Sequence, residues 1–93
     1  MNLPELLRFP GAEAVEPGLQ DLARGAETVE SLLVSIAAPR LRNLGFALPA
    51  PVADAELKLY RMLALQHGNA AHGRYNALVR RMVSFQRAAA CVK

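Results

Sequence analysis

Apolar residues recur at alternating spacings of three and four along two stretches of this chain of 93 residues. Such spacings place side chains on one face of an α-helix, whereas a half-buried strand alternates with a period of two. No alternating run of β-branched residues occurs anywhere in the sequence. The spacing therefore predicts an all-α fold in which both stripes face the core. The stripes consist of Leu19, Leu22, Ala26, Val29, Leu33 and Ile36, and of Tyr75, Leu78, Met82, Phe85 and Ala89.

Length and composition predict one small packed domain over residues 1–93. The chain is 53% hydrophobic and 20% charged, which is far from the polar, highly charged composition of disordered proteins. Pro4 suits the first turn of a helix, and Pro10 followed by Gly11 ends such a helix. Residues 1–16 are therefore predicted to form a short N-terminal helix and a loop.

A long helix is predicted over residues 17–45 from the first apolar stripe. Pro39 is expected to kink or end it, and Gly45 stands where a C-terminal cap would follow. Gly25 interrupts the stripe, so a break into two helices at that residue is the alternative. Val34 falls opposite the stripe and is expected to project among acidic residues.

The second half of the sequence predicts a linker followed by a helical hairpin. Residues 46–53 contain Pro49 and Pro51 and are predicted to be an extended connection. Residues 54–93 are predicted to form two helices, the first capped by Asp54. Apolar residues surround that helix almost completely, which predicts a central, largely buried position. The whole is expected to be a small antiparallel bundle of three to four helices.

Charge is segregated along the sequence. The last carboxylate side chain is Glu56, and residues 57–93 carry seven Lys or Arg side chains. A field of one sign attracts phosphate or an acidic protein surface, because no neighbouring carboxylates cancel it. The net charge of +3 is modest.

The last helix, predicted over residues 74–91, concentrates this charge. At 100° per residue, Arg80 and Arg87 lie opposite the apolar stripe, and Val79 and Val83 lie beside them. Arginine mixed with apolar area is enriched at protein interaction sites. We therefore expect this face to bind an acidic protein or a second copy of the chain. The predicted partner-binding residues are Val79, Arg80, Val83 and Arg87, with Arg74 and Arg81 on the other margin.

Nucleic-acid binding is the alternative prediction, because a basic helix following another helix superficially resembles a helix-turn-helix unit. The break between Gly68 and Gly73 is long for that motif, and the arginines point in several directions. Acidic residues of the long helix are also expected to neutralise some of these arginines. The candidates are Asp21, Glu27 and Glu30.

No catalytic, metal or cofactor site is predicted. His67 and His72 lack the spacing of a helical zinc motif, and no phosphate-binding glycine loop occurs. Cys91 is the only cysteine, which excludes an intramolecular disulfide. No signal peptide or membrane-spanning stretch is evident. The expectation is a non-catalytic cytoplasmic protein.

Overall fold

The structure, a computed structural model, describes Phe9 and residues 11–92. Within these residues it is all-helical without a strand, which confirms the predicted fold class. The helices are α1 (Ala12–Ala23), α2 (Val29–Asn43), α3 (Ala55–His67) and α4 (Ala71–Val92), and a 3-10 turn, Gly68–Ala70, joins the last two. The short helix predicted before Phe9 lies outside the described residues.

The long helix predicted over residues 17–45 is wrong as a single helix, and the break at Gly25 is correct. Gly25 has φ +75°, a backbone conformation that glycine adopts without steric cost. Thr28 then caps α2, because its Oγ1 accepts a hydrogen bond from the Ser31 amide (3.1 Å) and Ser31 Oγ accepts one from the Thr28 amide (2.8 Å). The Thr28 hydroxyl also donates to Asp21 Oδ2 at 2.7 Å, which ties the end of α1 to the start of α2.

Proline does not set the helix boundaries. Pro17 lies inside α1, which begins at Ala12, so the loop predicted for residues 12–16 is wrong. Pro39 lies inside α2 and does not end it. An internal proline costs about 3 kcal/mol, but burying one leucine or valine gains about 1.5–3 kcal/mol. α2 buries several such residues on both sides of its proline, among them Leu32, Leu33, Val34 and Leu41.

The cap predicted at Gly45 is confirmed. Gly45 has φ +102°, its amide donates to the Arg42 carbonyl at 3.0 Å, and the Phe46 amide donates to the Leu41 carbonyl at 3.0 Å. These two bonds form a Schellman motif. The segment from Phe46 to Val52 contains neither helix nor strand, as predicted. It also reaches the core, since Phe46 is buried and its ring meets that of Phe85 edge-on at 6.0 Å.

The core lies between α1, α2 and α4, with α3 packed against α2 and α4 from one side. α1 crosses α2 closely at Gly18, where a side chain would collide with Glu30 and Val34. Val34 is therefore fully buried, and the prediction that it projects outward is wrong. No helix in the described part of the chain combines the length and apolar character needed to cross a bilayer.

The predicted burial of α3 is wrong as well. Only one face of this helix is buried, and Leu65 is 90% exposed, Leu57 50% and Tyr60 39%. The buried residues are Ala55, Leu59 and Leu63. Since α3 lies at the edge of the helix assembly, none of the other described helices covers its outer face.

Candidate functional site

The last helix presents two different faces, as its sequence pattern predicts. The stripe residues Met82, Phe85 and Ala89 are buried in the core. Arg80 and Arg87 are exposed on the far side. α4 begins three residues before the predicted Arg74 start, because the 3-10 turn directly precedes Ala71 and Gly73 is part of the helix.

Val79 and Val83 are half-buried and line a groove between α4 and α2. Two adjoining clefts, of about 290 and 300 Å³, share Arg40, Val83 and Gln86 in their linings. We call the two clefts together the α2/α4 groove. Its lining residues are Leu33, Ile36, Ala37, Pro39, Arg40, Asn43 and Leu44 from α2 and the residue after it, and Val79, Met82, Val83, Gln86, Arg87 and Ala90 from α4.

The two walls of the groove run in the same direction. The first cleft joins residues 33–40 to residues 79–86, and the second joins residues 40–44 to residues 83–90. From Val79 to Ala90, eleven residues at 1.5 Å each give a length of about 16 Å. Three turns of a helix would therefore fit along the floor.

The polar groups of the groove are cationic or neutral. Arg40 Nη1 donates to Gln86 Oε1 at 3.4 Å, and Arg87 lines the second cleft from α4. No Asp or Glu in the described part of the chain lines either cleft. Among the described residues, no carboxylate lies within 4.0 Å of the guanidinium of Arg40, Arg80 or Arg87. The groove thus combines an apolar floor with a positive edge.

The other margin of α4 differs, because Arg81 forms an ion pair with Glu13 of α1. Both side chains are more than half exposed, so the pair contributes little to stability, but it occupies this arginine. Arg74 is exposed on the same margin. The structure therefore places Val79, Val83, Arg80 and Arg87 on one side of α4 and separates them from Arg74 and Arg81.

The acids expected to neutralise the last helix form other contacts. Asp21 pairs with Arg24, and Glu27 pairs with Lys58 at 3.1 Å. The hydrogen bond from Thr28, followed by the one from Arg24, lowers the pKa of the Asp21 carboxyl below its usual 3.8. No ion pair within 4.0 Å joins Glu30 to an arginine in the described part of the chain.

Sequence reasoning missed the contribution of α2 to this site. Ile36 and Arg40 both line the groove from α2. Because a helix boundary was expected at Pro39, the sequence did not indicate that the two residues belong to one helix. A signal was present, because Leu33, Ala37 and Leu41 continue at helical spacing through the proline. All three are buried in the structure.

The histidines lie away from the groove. His72 Nε2 is 3.2 Å from Asn76 Nδ2, and the His72 ring meets Tyr60 edge-on at 6.4 Å. Tyr60 also contacts Tyr75, with ring centroids 5.7 Å apart. Burial of its ring, and then the charge of Glu56, raise the pKa of Tyr75 above its usual 10.0. No group of three or more His, Cys, Asp or Glu is arranged to hold a metal in the part of the chain that the structure describes.

Comparison of the chain with protein-family models, with curated proteins and with solved structures finds no match in any of the three.

Proposed function

We propose that this protein is a non-catalytic helical interaction module that binds an acidic protein partner through the basic face of α4. The observation that carries the proposal is the α2/α4 groove, which Val79 and Val83 line with apolar side chains and where Arg87 has no carboxylate of the described residues within 4.0 Å. Apolar floor supplies free energy of binding, and unpaired arginines supply selectivity for carboxylates.

The mechanism is docking with charge pairing. The partner's apolar side chains enter the groove beside the two valines and displace water from it. Its carboxylates approach Arg80, Arg87 and Arg40, which are all exposed and can form bidentate pairs. Arg74 and Arg81 stay outside the contact, because they belong to the opposite margin of α4.

The proposal extends to the architecture and the location of the protein. We propose that the helices form a small antiparallel bundle, which the shared direction of α2 and α4, with α3 between them in the chain, supports. A cytoplasmic location accords with a single cysteine, Cys91, which is exposed.

The test is affinity capture from native lysate with the tagged chain, followed by purification of the captured protein and a direct binding measurement. The double variant Arg80→Glu/Arg87→Glu should lose the interaction, because it replaces two attractive charges with repulsive ones. Arg74→Glu serves as the matched control, since it changes charge on the same helix but on the opposite margin. Circular dichroism should show equal helicity in all variants. Equal binding by the double variant and the wild type would refute the proposal.

Nucleic-acid binding is the second candidate. It is favoured by the exposure of Arg74, Arg80 and Arg87, which form no ion pair with another described residue. This alternative predicts that affinity for mixed-sequence DNA or RNA falls steeply with added salt. Nuclease treatment of the lysate would then abolish capture. Self-association is the remaining form of the first proposal, and light scattering over a range of protein concentrations detects it.

A further inference from the structure

We infer that the occupant of the α2/α4 groove is an acidic amphipathic helix of another protein. The inference rests on the proposed function and specifies the partner's chemistry. The groove is about 16 Å long, about three turns of a helix. A helix with apolar residues at positions i, i+4 and i+7 would present one row of apolar side chains to the two clefts.

A helix fits better than a strand. An extended peptide typically binds by adding a strand to an exposed sheet edge, where it forms hydrogen bonds with the unpaired N–H and C=O groups of the edge strand. The described residues contain no strand and so offer no sheet edge. Helical hydrogen bonds engage the backbone of α2 and α4 except in the terminal turns and at the Ser35 carbonyl, which lacks a helical donor because residue 39 is proline. Recognition in the groove therefore depends mainly on side chains, which one face of a helix can contact.

Charge complementarity indicates that the partner's contacting surface is negatively charged. Arg40 lines the groove from α2 and Arg87 lines it from α4, and no Asp or Glu among the described residues lines either cleft. Arg40 belongs to the last turn of α2, where its positive charge also interacts favourably with the negative end of the helix dipole. Arg87 has no such structural role, because α4 has no basic residue in its last turn and Arg87 lies before it. A partner carboxylate would give Arg87 the pairing that the described residues do not supply.

A second copy of the chain is a poor occupant. The large apolar side chains that the described part of the molecule exposes are Leu57, Tyr60 and Leu65, all on α3. Arg61 lies between them on the same exposed face. Glu56 is exposed one turn before Tyr60. Inserting this face would bring Glu56 and Arg61 together against Arg40 and Arg87, so repulsion by Arg61 would offset the attraction of Glu56, which a partner with carboxylates on both flanks avoids. The partner helix is therefore expected to come from a different protein.

The probe is a labelled synthetic peptide of about 15 residues, with leucines on one helical face and glutamates on both flanks. A matched peptide carries lysine in place of every glutamate. Fluorescence anisotropy with the full chain should show saturable binding of the acidic peptide and none of the basic one. Arg87→Glu should lower the affinity for the acidic peptide by about ten-fold or more. Arg74→Glu should change that affinity by less than about two-fold.

The floor of the groove is tested separately. Val83→Glu should abolish binding, because it places a charge where the peptide's leucines dock. If Val83→Glu does not fold, Val83→Ala still removes apolar contact and should weaken binding measurably. Mixed-sequence RNA and vesicles with anionic lipid should not displace the bound peptide.

The outcomes separate this inference from the broader proposal. Equal binding of both peptides, insensitivity to Arg87→Glu and Val83→Ala, or displacement by RNA or anionic vesicles would each overturn the inference. If the acidic peptide fails to bind while a purified partner is still lost from Arg80→Glu/Arg87→Glu, the helix inference is wrong and the binding function stands. If both fail, the function proposed for this face is wrong too.

Discussion

Gly18 offers the sharpest test of how the helices pack. It lies inside α1 and is buried where α1 crosses α2. A Cβ atom added there would lie 2.5 Å from the Glu30 carbonyl oxygen and 2.5 Å from Val34 Cγ2. Ordinary contact begins at 3.4 Å, so Gly18→Ala must move the two helices apart by about 0.9 Å.

The expected magnitude follows from two opposing effects. Overpacking a well-packed core costs about 1–3 kcal/mol, and the upper part of that range applies because the obstacle includes backbone of α2. Replacing a glycine inside a helix with alanine returns about 1 kcal/mol. We expect Gly18→Ala to lower the free energy of unfolding by about 1–2 kcal/mol. In a domain of this size, Tm should fall by about 4–16 °C.

Gly73→Ala is the matched control. Gly73 lies in the first turn of α4, and an added Cβ would meet no atom within 4 Å. The same substitution should therefore raise the free energy of unfolding by about 0.5–1 kcal/mol. Urea and thermal unfolding followed by circular dichroism measure both variants. If Gly18→Ala were as stable as Gly73→Ala, the close crossing of α1 and α2 would be refuted.

Three further predictions address a cap, a pKa and an exposed side chain. Thr28→Ala removes the cap of α2 and should cost about 1 kcal/mol in urea unfolding; an unchanged midpoint would contradict the capping role. In Tyr60→Phe, Tyr75 is the sole tyrosine, and its absorbance titration should have a midpoint above pH 10.0. Because folding raises that pKa, its contribution to stability is complete below pH 10.0 and is lost as the pH rises through the folded-state value. Leu65→Lys should change stability by less than about 0.5 kcal/mol, and a larger loss would mean that Leu65 is covered in solution.

The helical class was predictable from sequence because the spacing of apolar residues is a local property. The stripe of α4 was correct in detail for the same reason, since one uninterrupted helix carries it. The boundaries of α1 and α2 were less accessible. Pro17 and Pro39 are strong local signals for ending a helix, but buried contacts contributed by distant residues outweigh their cost.

Burial depends on which neighbour covers a face, and sequence alone does not give that. α3 has apolar residues on nearly all sides, yet Leu65 is exposed because none of the other described helices covers it. Val34 appeared to face outward when α1 and α2 were treated as one helix. Once Gly25 separates them, Gly18 lets α1 pack directly onto Val34. The groove was hidden for a related reason, because half of its lining comes from α2.

The groove itself follows from side-chain size at the ends of two helices. Ala37 of α2 lines the first cleft, and Ala90 of α4 lines the second. Alanine side chains are too short to fill the space between two adjacent helices, so the clefts remain open where larger residues would narrow them. Larger side chains in the clefts would gain packing energy. Arg40 and Arg87, which line the clefts, are exposed and do not supply that packing. The exposed apolar area of the clefts gives the isolated chain no packing energy, and a partner of complementary shape that covered it would gain free energy by removing it from water.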